Sequence, residues 1–219
     1  MKDHNIDACI RILKREVRRW QEPIVGVVAK ASRRDPFQIL ISTVLSLRTK
    51  DQTTAEASAR LFRLATTPEA MVAVPRRTIE RAIYPVGFYR TKARYIHGIC
   101  RDLLTRYAGR VPDTLEELLA LKGVGRKTAN LVLTLGFRKP GICVDVHVHR
   151  ISNRWGYIRT KTPEESEQVL RRKLPRRHWM IYNDLLVPYG QNLCTPVSPR
   201  CSECKLARYC ERVGVVRSR

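Results

Sequence analysis

The sequence predicts an all-α fold for two reasons. Helix start signals recur along the chain, whereas no segment alternates between polar and apolar residues for long enough to form a strand. In addition, 43% of the 219 residues are hydrophobic, so the chain can bury a core and is not expected to be disordered. We therefore expect a helical protein of one or two domains.

Each predicted helix begins at a recognisable signal. Near the N-terminus, apolar residues recur with helical spacing from Ile6 to Trp20, which predicts an amphipathic helix with a basic outer face. Further along, helical patterns begin after a capping residue. This residue is followed directly by a proline, or by a glutamate three positions later. In chain order these starts are Asp35–Pro36, Thr67–Pro68, Thr114 with Glu117, and Thr162–Pro163.

The composition changes after about residue 139. Apolar helices lie before this point, and charged helices with a cysteine-rich tail follow it. The change predicts two subdomains with a boundary near Pro140–Gly141.

The net charge is strongly positive. Lysine and arginine number 42 against 20 acidic residues, which leaves +22 at pH 7. Such an excess favours a polyanionic partner, most often nucleic acid, over a merely soluble basic surface or a membrane-surface binder. The chain shows no apolar run of bilayer-spanning length and no signal-peptide pattern near its N-terminus, so we expect a cytoplasmic, nucleoid-associated protein without a membrane partner.

The segment LKGVGRKTANLV, residues 121–132, predicts two helices joined by a tight turn. Gly123 and Gly125 lack a Cβ atom, so the backbone can turn sharply there and approach another backbone closely. The second helix would begin near Arg126, where N–H groups and the positive end of the helix dipole suit an anion such as a DNA phosphate. The net charge favours this interpretation over a turn that binds nothing.

Lys127 would lie in the first turn of that second helix. The helix dipole disfavours an ammonium there and pushes the amine towards its neutral, nucleophilic form. From position alone, however, a solvated lysine that contacts phosphate is the better interpretation.

Four of the seven cysteines are crowded into one short segment with the spacing C-x6-C-x2-C-x5-C. In a reducing compartment this clustering suggests a metal centre and not a disulfide framework. Four thiolates suit either tetrahedral zinc or an iron–sulfur cluster, although zinc typically uses two short C-x2-C pairs and only one is present. The four residues are Cys194, Cys201, Cys204 and Cys210.

The hairpin segment, the segment VDVHVHRISNR and the cysteine spacing together resemble the endonuclease III family of helix-hairpin-helix DNA glycosylases, from about residue 37 to residue 210. The resemblance implies two helical subdomains with a cleft between them. One is a central helical barrel over residues 29–139, with the hairpin at about 115–137. The other combines residues 1–28 with 140–219 and would hold a 4Fe–4S cluster on the four cysteines.

The resemblance also assigns catalytic roles. Lys127 would attack C1′ of the damaged nucleotide to form a Schiff base, because family members that only remove the base lack a lysine at this position. Asp145 would stabilise the charge that develops on the sugar. An alternative role for Asp145 is to cap the helix that follows it, and one residue can serve both purposes.

Two loops would fill the space left by the extruded base. Arg48 stands where well-studied bacterial members carry glutamine, and Phe88 stands where an aliphatic residue is common. The alternatives are a phosphate contact for Arg48 and a core position for Phe88. The residues expected to contact DNA are Arg48, Lys50, Phe88, Lys122, Gly123, Val124, Gly125, Arg126 and His147.

The function implied is that of a monomeric, bifunctional DNA glycosylase and abasic-site lyase of base excision repair. It would remove oxidised or ring-damaged pyrimidines from double-stranded DNA. The alternatives are a mismatch or monofunctional glycosylase, which the unusual Arg48 leaves open, and an inactive DNA-binding relative or an electron-transfer protein. A pure binder needs neither Lys127 nor Asp145, so their joint presence favours an enzyme.

Overall fold

The structure is a computed structural model that describes residues 1–219, and it contains helices but no strands. The prediction of an all-α fold is thus confirmed. Short 3₁₀ turns occur between several helices, and a π-helical segment spans Val132–Gly136. The α-helices are α1 (Ile6–Glu16), α2 (Ile24–Ala31), α3 (Pro36–Ser46), α4 (Asp51–Leu64), α5 (Pro68–Ala73), α6 (Arg76–Ile83), α7 (Tyr89–Arg106), α8 (Leu115–Ala120), α9 (Arg126–Leu131), α10 (Val146–Arg154), α11 (Pro163–Lys173) and α12 (Trp179–Asn192).

The predicted capping residues lie at helix starts. Asp35 accepts hydrogen bonds from the backbone N–H groups of Phe37 and Gln38, at 2.8 and 3.0 Å. Three threonines each accept from the backbone N–H three residues later, and caps of this kind stabilise a helix by about 1 kcal/mol. These threonines are Thr67, Thr114 and Thr162.

The chain divides into two compact units. The central unit is Ile24–Lys139, and the terminal unit combines Met1–Pro23 with Pro140–Arg219. The sequence-based division instead assigned residues 24–28 to the terminal segments. In the structure these residues form the first turns of α2, which packs on α3 and places Val25 in the core of the central unit.

The core of the central unit surrounds α3. This helix is buried on all sides because α2, α4, α7 and α9 pack against it, which explains why its sequence is apolar without a polar face. Helix α7 contributes an apolar stripe whose members recur at helical spacing, including Ile96, Ile99 and Leu103. Helices α8 and α9 pack on each other and form the predicted hairpin.

In the terminal unit, α12 packs against both α1 and α10, and α10 packs against α11. The first helix ends at Glu16, earlier than the predicted helical spacing up to Trp20, and a 3₁₀ turn follows it. The ring of Trp20 instead packs edge-on against Tyr189 of α12, with centroids 5.9 Å apart. None of the helices in the structure is both long enough and apolar enough to cross a membrane.

Candidate active site and nucleic-acid interface

The turn between α8 and α9 requires a glycine at one position. Gly123 has φ +89°, in the left-handed region, and a Cβ atom there would lie 2.5 Å from Cδ2 of Tyr95. A side chain would therefore meet both backbone strain and the ring of a helix α7 residue. Val124 is buried beside it and anchors the turn to the core, whereas Lys122 is exposed.

Gly125, the N-cap residue of α9, has a different role. Its backbone is extended, and no heavy atom lies within 4 Å of the place where a Cβ would stand. The start of α9 therefore faces open space in front of Gly125, and a ligand can approach the backbone there. An anion is the ligand that the dipole of the helix favours at such a position.

Lys127 is the second residue of α9 and is half-buried. Side-chain bonds to the backbone brace the helix that carries it: Asn130 donates to the carbonyl of Arg126 at 2.9 Å, and Thr134 donates to that of Asn130 at 2.9 Å. Because the residues that follow Lys127 are buried, the position of its backbone is set by the core of the central unit. The lysine thus extends from a rigid element, which suits a nucleophile.

Asp145 is the N-cap of α10. One carboxylate oxygen accepts hydrogen bonds from the backbone N–H groups of His147 and Val148, both at 2.9 Å. The capping role considered for this residue is therefore present in the structure. The two bonds also fix the orientation of the carboxylate.

His147 is the second residue of α10, and its side chain packs against Gly190 of α12. Its Nδ1 is 3.1 Å from the Arg150 guanidinium, and a Cβ on Gly190 would approach the same atom to 2.4 Å. Close packing of the two helices thus depends on the glycine. No three His, Cys, Asp or Glu side chains in the structure form a group that could hold a metal ion, and this includes the H-x-H pair His147 and His149.

Arg48 and Phe88 lie together although 40 residues separate them in the sequence. Both have left-handed backbones, with φ 52° and 58°, a conformation that costs roughly 1–3 kcal/mol for residues other than glycine. Phe88 is 63% exposed, so the core position considered for it is wrong. The guanidinium carbon of Arg48 lies 5.7 Å from the centre of the Phe88 ring. Exposed Lys50 follows and is the N-cap of α4.

One residue near these loops was not identified from the sequence. Lys92 of α7 is only 5% exposed, and burial lowers the pKa of its amine to about 8. A signal was present in the sequence, because Lys92 falls on the same helical stripe as Ile96, Ile99 and Leu103. A lysine on an apolar stripe is unusual and must find hydrogen-bond acceptors in the interior.

The four clustered cysteines are half-exposed and none forms a disulfide. Burial, together with charge repulsion from neighbouring Cys194, Cys204 and Cys201, raises the pKa of Cys210 to about 11. The four sulfur atoms therefore lie close enough to influence one another. Four thiolates are the ligand type of an iron–sulfur group, and a bound cation would relieve this repulsion, although the cysteine side chains in the structure are not arranged around a common metal position.

Hydrogen-bond donors surround three of these sulfur atoms. The Arg154 guanidinium lies 3.5 Å from the Cys194 sulfur, the backbone N–H of Arg212 lies 3.4 Å from that of Cys210, and the Tyr189 hydroxyl lies 2.9 Å from that of Cys204. Such donors stabilise thiolates and orient them as ligands.

Helix α10 also holds the loop that carries the first of the clustered cysteines. Arg154 donates to the carbonyls of Thr195 and Pro196, each at 2.6 Å, and Arg150 donates to that of Cys194 at 2.8 Å. The helix that begins at Asp145 therefore ends against the cysteine loop. Neither arginine was singled out from the sequence, because buried carbonyl partners leave no local pattern.

Comparison with known families and proteins agrees with these features. The family model described as HhH-GPD superfamily base excision DNA repair protein matches residues 41–176. Endonuclease III of Thermotoga maritima is 50% identical over 177 residues, which cover 81% of this chain and 83% of that protein. Endonuclease III homolog 1, chloroplastic, of Arabidopsis thaliana is 43% identical over 183 residues, and the chain spans about half of its length, 48%.

Solved structures of endonuclease III bound to DNA are also similar. A non-covalent complex superposes with a TM-score of 0.86 and 34% identity, and covers 97% of this chain and 96% of that one. A trapped covalent intermediate, described as an estranged-adenine complex, gives the same TM-score and identity and covers 97% of both chains.

Proposed function

The chain belongs to the endonuclease III family of the HhH-GPD superfamily of base excision DNA repair proteins, and on that basis we propose that it is a bifunctional DNA glycosylase and abasic-site lyase. It acts on damaged pyrimidines in double-stranded DNA. The observation that carries the proposal is the similarity, over 97% of the chain, to endonuclease III trapped in a covalent intermediate with DNA.

Base removal requires access to a sugar carbon that the stacked duplex hides. The damaged nucleotide is therefore rotated out of the helix, at a cost of a few kcal/mol for unpairing and unstacking. The exposed ring of Phe88 and the guanidinium of Arg48 fill the vacated space, since planar groups replace lost stacking. The backbone strain at both residues is of the kind that clusters at functional sites.

Lys127 and Asp145 then perform the chemistry. The carboxylate of Asp145 stabilises the positive charge that develops on the sugar as the bond from C1′ to the base breaks. The amine of Lys127 forms a bond to C1′ as the bond from C1′ to the base breaks, and a proton that the nitrogen gives up passes to the departing base. Opening of the sugar ring, with transfer of the second amine proton to the ring oxygen, produces an imine between Lys127 and C1′.

Strand cleavage follows from the imine. Loss of a proton from C2′ lets the electron pair expel the 3′ phosphate, which is β-elimination. Water then hydrolyses the imine, so the lysine is returned and the aldehyde product is released. The start of α9 holds the DNA backbone near this point, because its N–H groups and dipole favour a phosphate.

A panel of defined duplexes tests the function. Duplexes carrying thymine glycol, dihydrouracil, uracil, 8-oxoguanine or an abasic site are incubated with the protein and treated with borohydride, which reduces the imine to a stable bond. We expect a covalent adduct and strand cleavage with the damaged pyrimidines and the abasic site. Base release without any adduct would instead indicate a monofunctional enzyme, and no reaction on any duplex would contradict the proposal.

Replacement of Gly125 by serine tests the phosphate contact. Serine is a good N-cap, so we expect unchanged or slightly higher thermal stability. Its side chain, however, occupies the open space in front of α9 and competes for the N–H groups, so the Kd for undamaged duplex should rise about tenfold. The measurement is a binding titration at fixed salt, together with a melting curve. Binding equal to that of the wild type would show that no phosphate lies there.

The four clustered cysteines are proposed to bind a 4Fe–4S cluster. When bound, such a cluster cross-links the cysteine segment and supplies a one-electron centre. The protein donors near the sulfurs, above all the guanidinium of Arg154, then stabilise the thiolate ligands.

Replacement of Cys210 by alanine is expected to remove most bound iron, acid-labile sulfide and visible absorbance from the purified protein. The matched control is Cys100→Ala, because Cys100 lies in the core of the central unit and its burial raises the pKa of the thiol to about 12. The control should keep the full iron content of the wild type. Zinc in place of iron in the wild type, or equal iron in both variants, would contradict the assignment.

A further inference from the structure

We propose that Lys92 is a positioning residue that joins the two base-displacing loops, so that Arg48 and Phe88 enter the duplex as one unit. The first loop is residues 47–50 and the second is residues 84–88. This inference rests on the proposed function and adds to it a buried residue that does not touch DNA.

The ammonium of Lys92 has one acceptor for each of its three hydrogens. It donates to the carbonyls of Leu45 and Leu47, at 2.8 and 2.5 Å, and to the hydroxyl of Thr49 at 3.2 Å. The two carbonyls lie at the end of α3, where a cation is also favoured by the helix dipole. These three acceptors flank Arg48 in the chain, so the ammonium holds the first loop on both sides of it.

The same lysine is attached to the second loop. Its backbone N–H donates to the carbonyl of Phe88 at 3.0 Å, as the first turn of α7. Lys92 thus contacts the residue that carries the exposed ring through its backbone, and the loop of Arg48 through its side chain.

Thr49 and Gly87 complete the connection. The Thr49 hydroxyl accepts from the backbone N–H of Gly87 at 3.2 Å while it contacts the ammonium of Lys92. At Gly87 the loops are so close that a Cβ would lie 2.7 Å from the carbonyl oxygen of Arg48. The relative position of the loops is therefore determined by polar contacts around one amine.

A purely structural role would not require a lysine. Lys92 lies on the apolar stripe of α7, where methionine or leucine would pack without the cost of burying a charge. Burial lowers the pKa of Lys92 to about 8, so the amine is still mostly protonated at neutral pH and keeps its third hydrogen. Because all three hydrogens are engaged and the residue is 5% exposed, the amine is not available as a nucleophile.

The test compares two DNA substrates with each variant. One is a fully paired duplex with thymine glycol, and the other carries the same lesion in an unpaired bubble, where little energy is needed to extrude the base. For Lys92→Met we expect the single-turnover excision rate to fall about tenfold or more on the paired duplex and less than about threefold on the bubble. Phe88→Ala should show the same selective loss.

Three further variants separate positioning from loss of stability. Thr43→Val removes a buried hydrogen bond to the carbonyl of Ile39 within α3 and should lower the Tm. It should leave unchanged the ratio of the excision rate on the paired duplex to that on the bubble. Thr49→Val removes one acceptor of Lys92 and should lower the ratio, whereas Thr49→Ser keeps the hydroxyl and should restore it. The Thr49 pair decides the question if Lys92→Met does not fold.

Equal losses on both substrates with Lys92→Met and Thr49→Val would overturn the inference while leaving the proposed function intact. If the wild type excised the base from neither substrate, the proposed function itself would fail. If Phe88→Ala left the ratio of the paired-duplex rate to the bubble rate unchanged, the loop of Phe88 would not displace the base. The positioning role of Lys92 would then also be contradicted.

Discussion

Lys127→Ala is expected to abolish the borohydride-trapped adduct and to slow strand cleavage at an abasic site by roughly 10³-fold or more. The physical reason is that the imine is the intermediate from which the 3′ phosphate is expelled, and alanine offers no amine. Because Lys127 is half-buried on a helix whose core contacts come from its neighbours, the fold should survive the change. The measurements are adduct yield on gels and the single-turnover cleavage rate.

Lys139→Ala is the matched control for the loss of one positive charge. Its amine pairs with Asp113 at 2.7 Å on the surface of the same unit, and it has no proposed role in catalysis. This variant should keep wild-type adduct yield. A persistent adduct in Lys127→Ala would show that another amine is the nucleophile and would overturn the mechanism.

Asp145→Asn is expected to slow base excision by roughly 10²–10³-fold while leaving stability within about 1 kcal/mol. Asparagine still accepts the hydrogen bonds from His147 and Val148, so the start of α10 is preserved. It carries no charge, however, and cannot stabilise the developing cation. Cleavage of a duplex that already contains an abasic site should fall less, because no base has to leave.

Asp35→Asn provides the control for this substitution. Asp35 caps α3 through the same pair of backbone hydrogen bonds but belongs to the central unit, whereas Asp145 belongs to the terminal unit, and Asp35 has no proposed role in catalysis, so excision should be unaffected. If excision by Asp145→Asn equals that of the wild type, Asp145 is a helix cap and nothing more.

Much of the fold was predictable because its determinants are local. A capping side chain interacts with backbone only two or three residues away, so the helix starts at Asp35, Thr67, Thr114 and Thr162 could be identified from short segments. The sequence predicted a boundary between residues 28 and 29, but it lies between residues 23 and 24. Its position depends on which core contains Val25, and that is a tertiary contact.

The candidate site was likewise predictable only where its determinants are local in the sequence. The glycine turn, Lys127 and the cysteine spacing are contiguous patterns, so the residues could be named from the sequence together with the family resemblance. The different roles of the two glycines in the turn could not be predicted from the sequence. Gly123 is required by its backbone conformation and by the ring of Tyr95 in α7, whereas Gly125 faces open space. These surroundings belong to the tertiary structure, so the sequence of the hairpin does not reveal them.

By itself, the sequence determined the helical class, the basic charge, the hairpin and the cysteine spacing, and its resemblance to a family added the candidate catalytic residues. Only the tertiary structure brought Arg48 beside Phe88 and placed the amine of Lys92 among the carbonyls at the end of α3. The reason is that a buried charge is stable only where distant parts of the chain supply its acceptors. Two of the three acceptors of Lys92 are backbone carbonyls, which every residue carries, so no pattern of side chains in the sequence reveals them.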